Sequence, residues 1–171
     1  MQTLDRDQVS LHMNATPEAV YALVADVSHS RIQPEVRRCI WLNGTTGPAV
    51  GARFEAVNNG RRGPDRKNQP VVIAAQPGRE FACSRTERFA GTFVWRYQFE
   101  PDGAGTMVTE SYEVTRLISR LGWFIIGRLY GLRDRPTDLR AGMQQTLQRT
   151  RETAEREDGP RHTSFHASTS Q

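Results

Sequence analysis

The sequence predicts an α+β fold, with an antiparallel sheet, one or two short helices near the N-terminus and a long C-terminal helix. Two observations predict it. The middle of the chain contains consecutive segments with apolar residues at every second position, joined by short turns rich in Gly and Pro, which is typical of an antiparallel meander. Residues 136–157 instead repeat their apolar residues at helical spacing, which indicates a helix.

The N-terminal part predicts a strand that is followed directly by a helix. Apolar and polar residues alternate over residues 9–13, which gives the strand one apolar face. Thr16 is a suitable N-cap, and Pro17 suits the first helical position. The apolar residues that follow, Val20, Leu23, Val24 and Val27, recur at helical spacing. A second, shorter helix is predicted over residues 31–35.

Further strands are predicted over residues 36–42, 52–58, 69–75, 80–86, 92–100 and 106–115. The most distinctive of them is 92–100, where Phe93, Trp95, Tyr97 and Phe99 stand at every second position and therefore share one face. The turn at residues 101–105 then reverses the chain into the last strand. The result is a long hairpin with one aromatic face that has to be buried.

The C-terminal helix carries a narrow apolar stripe. It consists of Leu139, Met143, Leu147 and Ala154, with Thr146 and Thr150 beside it. Gly142 weakens the helix further. A narrow stripe opposite an aromatic sheet face predicts space that the helix does not fill. Residues 158–171 form a polar tail that is expected to be disordered, which leaves residues 1–157 as a single domain.

Composition restricts the possible functions. The 171 residues, 37% hydrophobic and 25% charged, are enough for one domain with its own core. The net charge of +4 does not predict nucleic-acid binding, because the basic residues are scattered and the densest group is only Arg61, Arg62, Arg66 and Lys67. The N-terminus lacks the apolar run of a signal peptide, and no stretch has the length of a membrane-spanning helix, so we expect a cytoplasmic location.

The sequence contains no motif for a metal or a nucleotide cofactor. Cys39 and Cys83 lack metal-ligand spacing and are predicted to be reduced core residues. His12, His29, His162 and His166 make no ligand pairs. A phosphate-binding Gly-rich loop and a Gly-x-Ser-x-Gly nucleophile elbow are also missing. We therefore expect no cofactor and no metal, and the residue pattern leaves catalysis open.

Several local motifs resemble one protein family. They are residues 15–26 (ATPEAVYALVAD), 34–36 (PEV), 41–44 (WLNG), 48–54 (PAVGARF), 77–81 (PGREF) and 95–103 (WRYQFEPDG). From about residue 9 to 156 the chain thereby resembles actinobacterial members of the polyketide cyclase/dehydrase-like branch of the START-like (SRPBCC, Bet v 1-like) superfamily. The resemblance implies the helix-grip fold, in which a curved antiparallel sheet of about seven strands wraps around the long C-terminal helix.

The resemblance also implies a ligand site between the concave sheet face and the C-terminal helix. The alternation of apolar and polar residues along the strands indicates which side chains point inward. The predicted ligand-binding residues are Phe54, Phe81, Phe93, Trp95, Tyr97, Tyr112 and Met143. The same side chains could equally fill a solid core. Where family members tend to carry a Trp in the loop between the third and fourth strands, this chain has Arg66, Lys67 and Asn68, so its loop at the pocket mouth is expected to differ.

Two charged residues, Arg85 and Glu110, alternate in phase with these inward positions, and a buried charge needs a partner. One interpretation is that they form an ion pair or turn to solvent near the mouth. The other is that they contact the ligand, with Arg85 as an anchor for a carboxylate or enolate and Glu110 as an orienting group or general base. Both interpretations are compatible with the sequence.

Segment 116–135 has apolar residues at helical spacing with arginines beside them, which predicts a helix. This helix either caps one end of the sheet, or extends the C-terminal helix as part of its packing, or docks on an anionic membrane. For the whole chain we expect binding of a hydrophobic or aromatic small molecule such as a lipid, a polyketide or a similar metabolite. The alternatives are a polyketide aromatase/cyclase or dehydrase that acts in the same cavity, and a peripheral lipid-transfer protein.

Overall fold

A computed structural model describes residues 5–28, 32, 36–58, 66–87, 91–116 and 135–158. The elements follow in the order β1 (Arg6–Met13), α1 (Pro17–Ala25), β2 (Val36–Trp41), β3 (Phe54–Asn58), β4 (Arg66–Asn68), β5 (Val71–Gln76), β6 (Glu80–Glu87), β7 (Gly91–Asp102), β8 (Gly105–Arg116) and α2 (Arg135–Asp158). The predicted α+β class and the helix-grip arrangement of antiparallel strands around a C-terminal helix are confirmed.

The strands form two antiparallel sheets that meet at one corner. The larger sheet has the order β1-β8-β7-β6-β5, and the smaller one has the order β2-β3-β4. They are joined where the Val72 amide donates to the Ala52 carbonyl (2.9 Å) and the Gly51 amide donates to the Val72 carbonyl (2.8 Å). The predicted sheet of about seven strands is therefore divided into five and three strands, which together form the curved surface.

Strand β4 is the main difference from the predicted elements. Residues 66–68 were expected in a loop, but they pair antiparallel with β3, so that Asn68 stands opposite Ala56 and Lys67 opposite Val57. Three residues are too few to show an alternating pattern, and for this reason the sequence did not reveal the strand. The pairing places Asn68 next to the inner face of the small sheet. Strand β5 starts later than predicted, at Val71.

Helix α1 forms where the capping pattern predicts it. The hydroxyl of Thr16 accepts a hydrogen bond from the Ala19 amide (3.3 Å), and Pro17 occupies the first turn. The buried face of the helix packs on the large sheet, where the Tyr21 ring meets the Phe99 ring of β7 edge-on at a centroid distance of 5.7 Å. Helix α1 therefore closes one end of the large sheet.

Helix α2 lies along β1, and polar contacts hold it in place near both of its ends. Arg140 Nη1 pairs with Asp7 Oδ1 at 2.6 Å near the start of the helix. Near its end, Glu155 Oε1 accepts hydrogen bonds from the backbone amide of Asn14 (3.0 Å) and from its side chain (3.1 Å). The two contacts are about 22 Å apart along a helix and about 23 Å apart along a strand, so α2 runs beside β1 in the same direction.

Three predicted segments lie wholly or mostly outside the described residues. These are the short helix at 31–35, of which only residue 32 is described, the amphipathic segment 116–135, described only at its two ends, and the tail, described only at residue 158. Residue 158 belongs to α2, one position beyond the predicted domain boundary. In the described ranges, no helix has the length and apolarity needed to span a membrane.

Buried apolar residues form two clusters. The larger cluster is centred on Met13, Val72, Val108 and Leu147, which are fully buried between the sheets, α1 and the C-terminal half of α2. The smaller cluster contains Phe93, Tyr112, Val114, Leu139 and Met143 and lies under the N-terminal half of α2. Cys39 is buried in the larger cluster, and both Cys39 and Cys83 are free thiols, as predicted.

Candidate functional site

A cavity of about 140 Å³ lies between α2 and the inner faces of both sheets. A cavity needs only about 10–15 Å³ to hold one water molecule, and an apolar cavity of about 150 Å³ holds one benzene ring. The cavity is therefore large enough for a small organic molecule. Its apolar wall consists of Val27, Val36, Phe54, Ala56, Pro70, Phe81, Trp95, Tyr97, Leu139 and Met143.

The side of α2 that faces the cavity carries mostly small side chains. Asp138, Gly142 and Thr146 follow one another at four-residue spacing and line the cavity together with Leu139 and Met143. A Cβ atom built on Gly142 would meet no other atom within 4 Å. The missing side chain at Gly142 therefore leaves space open along the middle of this helix face.

The wall on the large sheet is built from rows of side chains that cross β6, β7 and β8. The first row is Phe81, Tyr97 and Glu110, the second is Cys83, Trp95 and Tyr112, and the third is Arg85, Phe93 and Val114. Residues directly opposite each other in antiparallel strands project to the same face, with Cβ atoms about 4.5–5.5 Å apart. Side chains that are far apart in sequence are thus neighbours on one concave surface.

The predicted ligand-binding residues divide into two groups. Those at the cavity wall are Phe54, Phe81, Arg85, Trp95, Tyr97, Glu110 and Met143. Phe93 and Tyr112 point to the same side of the sheet but belong to the smaller cluster and do not line the cavity. Their neighbours cover them, because the Arg85 guanidinium lies 5.7 Å from the centroid of the Phe93 ring and the Trp95 and Tyr112 rings lie 5.5 Å apart.

Glu110 is the most unusual residue of the wall, since this glutamate is only 3% exposed. The Tyr97 hydroxyl donates a hydrogen bond to Glu110 Oε1 at 2.7 Å. The second oxygen, Oε2, is buried and has no hydrogen-bond partner among the described residues. Burial raises the pKa of Glu110 to about 8, although the Tyr97 hydrogen bond lowers it in part. At neutral pH the carboxyl is therefore mostly protonated and can donate a hydrogen bond from Oε2.

Arg85 and Glu110 lie two rows apart, which corresponds to roughly 13 Å along the strands. Cys83 lies in the row between them. Burial raises the pKa of the Cys83 thiol to about 12, Arg85 lowers it, and Cys39 and Glu110 raise it. The thiol is therefore protonated at neutral pH and is a poor nucleophile. A direct ion pair between Arg85 and Glu110 stays a prediction.

Four polar residues of the wall were missing from the predicted site, namely Asn58, Asn68, Asp138 and Thr146. Asp138 and Thr146 stand four residues before and after Gly142, so helical spacing alone would have placed them on the same face of α2. No pattern indicated Asn68, whose Oδ1 is buried without a hydrogen-bond partner in the described part of the chain. Thr146 differs from Glu110 and Asn68, because its hydroxyl donates to the Gly142 carbonyl at 3.0 Å. Among the residues that the structure describes, no group of His, Cys, Asp and Glu is placed to hold a metal ion.

Solved structures share this architecture. The di-domain ARO/CYC StfQ from the steffimycin biosynthetic pathway superposes with a TM-score of 0.74 at 14% identity, over 92% of this chain and 52% of StfQ. The Polyketide_cyc-like protein Cgl2372 from Corynebacterium glutamicum has a TM-score of 0.57 at 25% identity, over 95% and 97% of the two chains. The protein TTHA0849 from Thermus thermophilus has a TM-score of 0.67 at 17% identity, over 89% and 98%.

The chain spans about half the length of StfQ, and at 14% identity this likeness concerns the fold. No curated protein matches the sequence. A family model does match it, over residues 7–155, from β1 to the last turns of α2. The match includes both sheets and every element that lines the cavity. The chain therefore belongs to the family described as polyketide cyclase / dehydrase and lipid transport.

Proposed function

We propose that the cavity binds a hydrophobic or aromatic small molecule, such as a lipid, a polyketide or a related metabolite. Membership of the family supports a hydrophobic ligand-binding or cyclase role without naming a substrate. The observation that carries the proposal is the cavity itself, whose wall is mostly apolar and includes aromatic side chains from both sheets. Cavities of this kind typically bury most of a small ligand and orient it by one or two polar contacts.

In this proposal the residues at the wall have two roles. Phe54, Phe81, Trp95 and Met143 provide the apolar contact surface, and Tyr97, Glu110 and Arg85 provide the polar contacts. Phe93 and Tyr112 act from behind the wall, since their rings support Arg85 and Trp95. Substitutions of these two rings would therefore change the shape of the cavity without removing a direct contact.

The space beside Gly142 allows a direct test of binding. Replacement by leucine, Gly142→Leu, would extend a side chain into the open space, whereas Ala141→Leu adds the same side chain at the exposed neighbouring position of α2. Toluene, acetophenone and octanoate can be titrated against each protein and followed by NMR chemical shifts. We expect at least one probe to bind, with roughly tenfold or greater weakening in Gly142→Leu only. Failure of all three probes to bind, or equal weakening in both variants, would contradict the proposal.

Catalysis in the same cavity is the second candidate function, and Glu110 favours it. A carboxyl whose pKa lies near neutrality can both donate and accept a proton at physiological pH, and the raised pKa of Glu110 meets this condition. The Tyr97 hydroxyl at 2.7 Å holds the carboxyl in one orientation. A cyclase or dehydrase of the family could therefore use Glu110 to move protons on a poly-β-keto chain.

The two functions can be separated with a synthetic poly-β-keto thioester. A cyclase would form a cyclised or dehydrated product faster than the spontaneous reaction, and Glu110→Gln would remove the acceleration because an amide does not transfer the proton. A binding protein would retain the thioester without accelerating product formation. Product analysis by mass spectrometry over time distinguishes these results.

A further inference from the structure

We infer that the ligand is an electrically neutral aromatic compound of about one ring, whose carbonyl oxygen accepts a hydrogen bond from the Glu110 carboxyl. The inference rests on the proposed function, because it names the class of ligand that the cavity takes. It depends on three features of the described residues: the unpartnered oxygen of Glu110, the balance of charges at the wall, and the size of the cavity.

The hydrogen-bond arrangement around Glu110 defines the polar group that the ligand needs. Oε1 is occupied, because it accepts the hydroxyl hydrogen of Tyr97 at 2.7 Å. Oε2 belongs to a residue that lines the cavity, and this atom is itself buried and has no partner among the described residues. Leaving a buried polar atom without a hydrogen bond costs about 1–3 kcal/mol, so a ligand that supplies the missing partner is favoured. A protonated Oε2 donates, and its partner must therefore be an acceptor such as a carbonyl oxygen.

The charged and titratable groups at the wall favour a ligand without a charge. Among the residues that the structure describes, those that line the cavity with Glu110 are Cys83 and Arg85 on β6, Tyr97 on β7 and Asp138 on α2, and β1 places the apolar Val9 opposite Glu110. The formal charges of Arg85 and Asp138 cancel, and the thiol and the protonated carboxyl are neutral. A neutral ligand keeps this balance, whereas a carboxylate would bring an additional charge into an apolar space.

The size of the cavity sets the remaining condition. Its volume of about 140 Å³ is close to the roughly 150 Å³ that holds benzene in an apolar protein cavity. Phe81 and Trp95 stand in the rows that contain Glu110 and its nearest neighbours, so a ring that contacts them can place a substituent beside Oε2. A substituted benzene therefore matches the volume of the cavity.

Three probes of nearly the same shape test the inference. Acetophenone carries a carbonyl, 2-phenylpropene replaces the carbonyl oxygen with a CH₂ group, and benzoate carries a negative charge. Dissociation constants can be measured by NMR titration at pH 6.0. We expect acetophenone to bind about tenfold more tightly than 2-phenylpropene, the change that one net hydrogen bond of about 1.4 kcal/mol produces, and benzoate to bind most weakly.

Two variants and a second pH identify Glu110 as the donor. At pH 9.0 most of the wild-type carboxyl is ionised, so the preference for acetophenone should disappear. In Glu110→Gln the amide keeps the Tyr97 hydrogen bond and donates from the position of Oε2 at both pH values, so the preference should remain at pH 9.0. In Glu110→Leu it should be absent at both. If the leucine variant does not fold, the glutamine variant and the pH comparison still decide the question.

The possible failures are distinguishable. If none of the three probes binds at either pH but toluene or octanoate does, only the inference fails; if toluene and octanoate also fail to bind, the proposed function fails with it. If acetophenone and 2-phenylpropene bind equally at pH 6.0, the cavity binds aromatic molecules but Glu110 does not select a carbonyl, and only the inference is overturned. Tightest binding of benzoate would overturn it as well, and would indicate that Arg85 selects an anion.

Discussion

Replacing Glu110 by glutamine should make the folded protein more stable, and the gain should increase with pH. In the folded protein the pKa of Glu110 is raised from 4.5 to about 8, chiefly by burial. Below pH 4.5 the carboxyl is protonated in both the folded and the unfolded chain, and the wild-type protein has its full stability. Between pH 4.5 and 8 the unfolded chain loses the proton while the folded chain keeps it, which favours unfolding. Glutamine has no proton to lose.

The size of the effect follows from the two pKa values. Each pH unit between them changes the free energy of unfolding by about 1.4 kcal/mol, so the full interval from 4.5 to about 8 corresponds to about 5 kcal/mol. At pH 7 the difference should be about 3 kcal/mol. Glutamine preserves the contact with Tyr97, because its amide oxygen can accept the hydroxyl that now binds Oε1. The comparison therefore isolates the ionisation of the carboxyl from the loss of a hydrogen bond.

Urea unfolding at pH 5, 7 and 9, followed by circular dichroism, measures this difference. Glu113→Gln is the matched control, because Glu113 is an exposed glutamate on the same strand and its replacement should have little effect. The advantage of Glu110→Gln over the wild type should be small at pH 5 and greatest at pH 9. A difference that stays constant over this range would refute the reasoning, because it would mean that the carboxyl does not keep its proton on folding.

Other substitutions test the packing around the site, each by the free energy of unfolding in urea. Leu147→Ala should cost about 2–5 kcal/mol because this side chain is fully buried, and a cost below about 1 kcal/mol would contradict its central place in the core. Gly142→Ala should stabilise α2 by about 1 kcal/mol, since the new methyl group meets open space. Gly105→Ala should destabilise the protein, because the new Cβ would clash with the Met13 carbonyl oxygen. Equal changes in stability for Gly142→Ala and Gly105→Ala would contradict the described surroundings of the two glycines. Thr16→Ala should cost about 1 kcal/mol by removing the cap of α1, and no change would mean that the cap is not needed.

The parts of the fold that depend on local patterns could be predicted from the sequence. Alternation gave the inward face of β7, on which Phe93, Tyr97 and Phe99 are buried. The capping residues gave the start of α1 at Thr16 and Pro17. In each case neighbouring residues determine the structure, because a strand orients its side chains with a period of two and a helix satisfies its first amides with a nearby side chain.

The parts that depend on contacts between distant segments could not be predicted in the same way. Tyr97 and Glu110 are opposite each other because the hairpin reverses between Asp102 and Gly105, and the sequence indicated the turn without its register. Whether an inward ring reaches the cavity or the core depends on where α2 lies. Its position along β1 is held by contacts such as Asp7 with Arg140, residues that are far apart in the chain. The alternation of side chains along β7 therefore could not show that Tyr97 lines the cavity whereas Phe93 belongs to the smaller cluster.

The division of α2 between the two apolar clusters implies that its two halves open at different free energies. Leu147 and Ala154 belong to the larger cluster, whereas Leu139 and Met143 rest on the smaller one beside the cavity. Amide hydrogens near Leu147 should therefore exchange with solvent mainly when the whole domain unfolds, while those near Leu139 can exchange through a local opening. We therefore expect the first turns of α2 to open at a lower free energy than the rest of the helix, with the Arg140–Asp7 ion pair breaking in the same step. Such an opening would give a ligand a way in that leaves the main core intact.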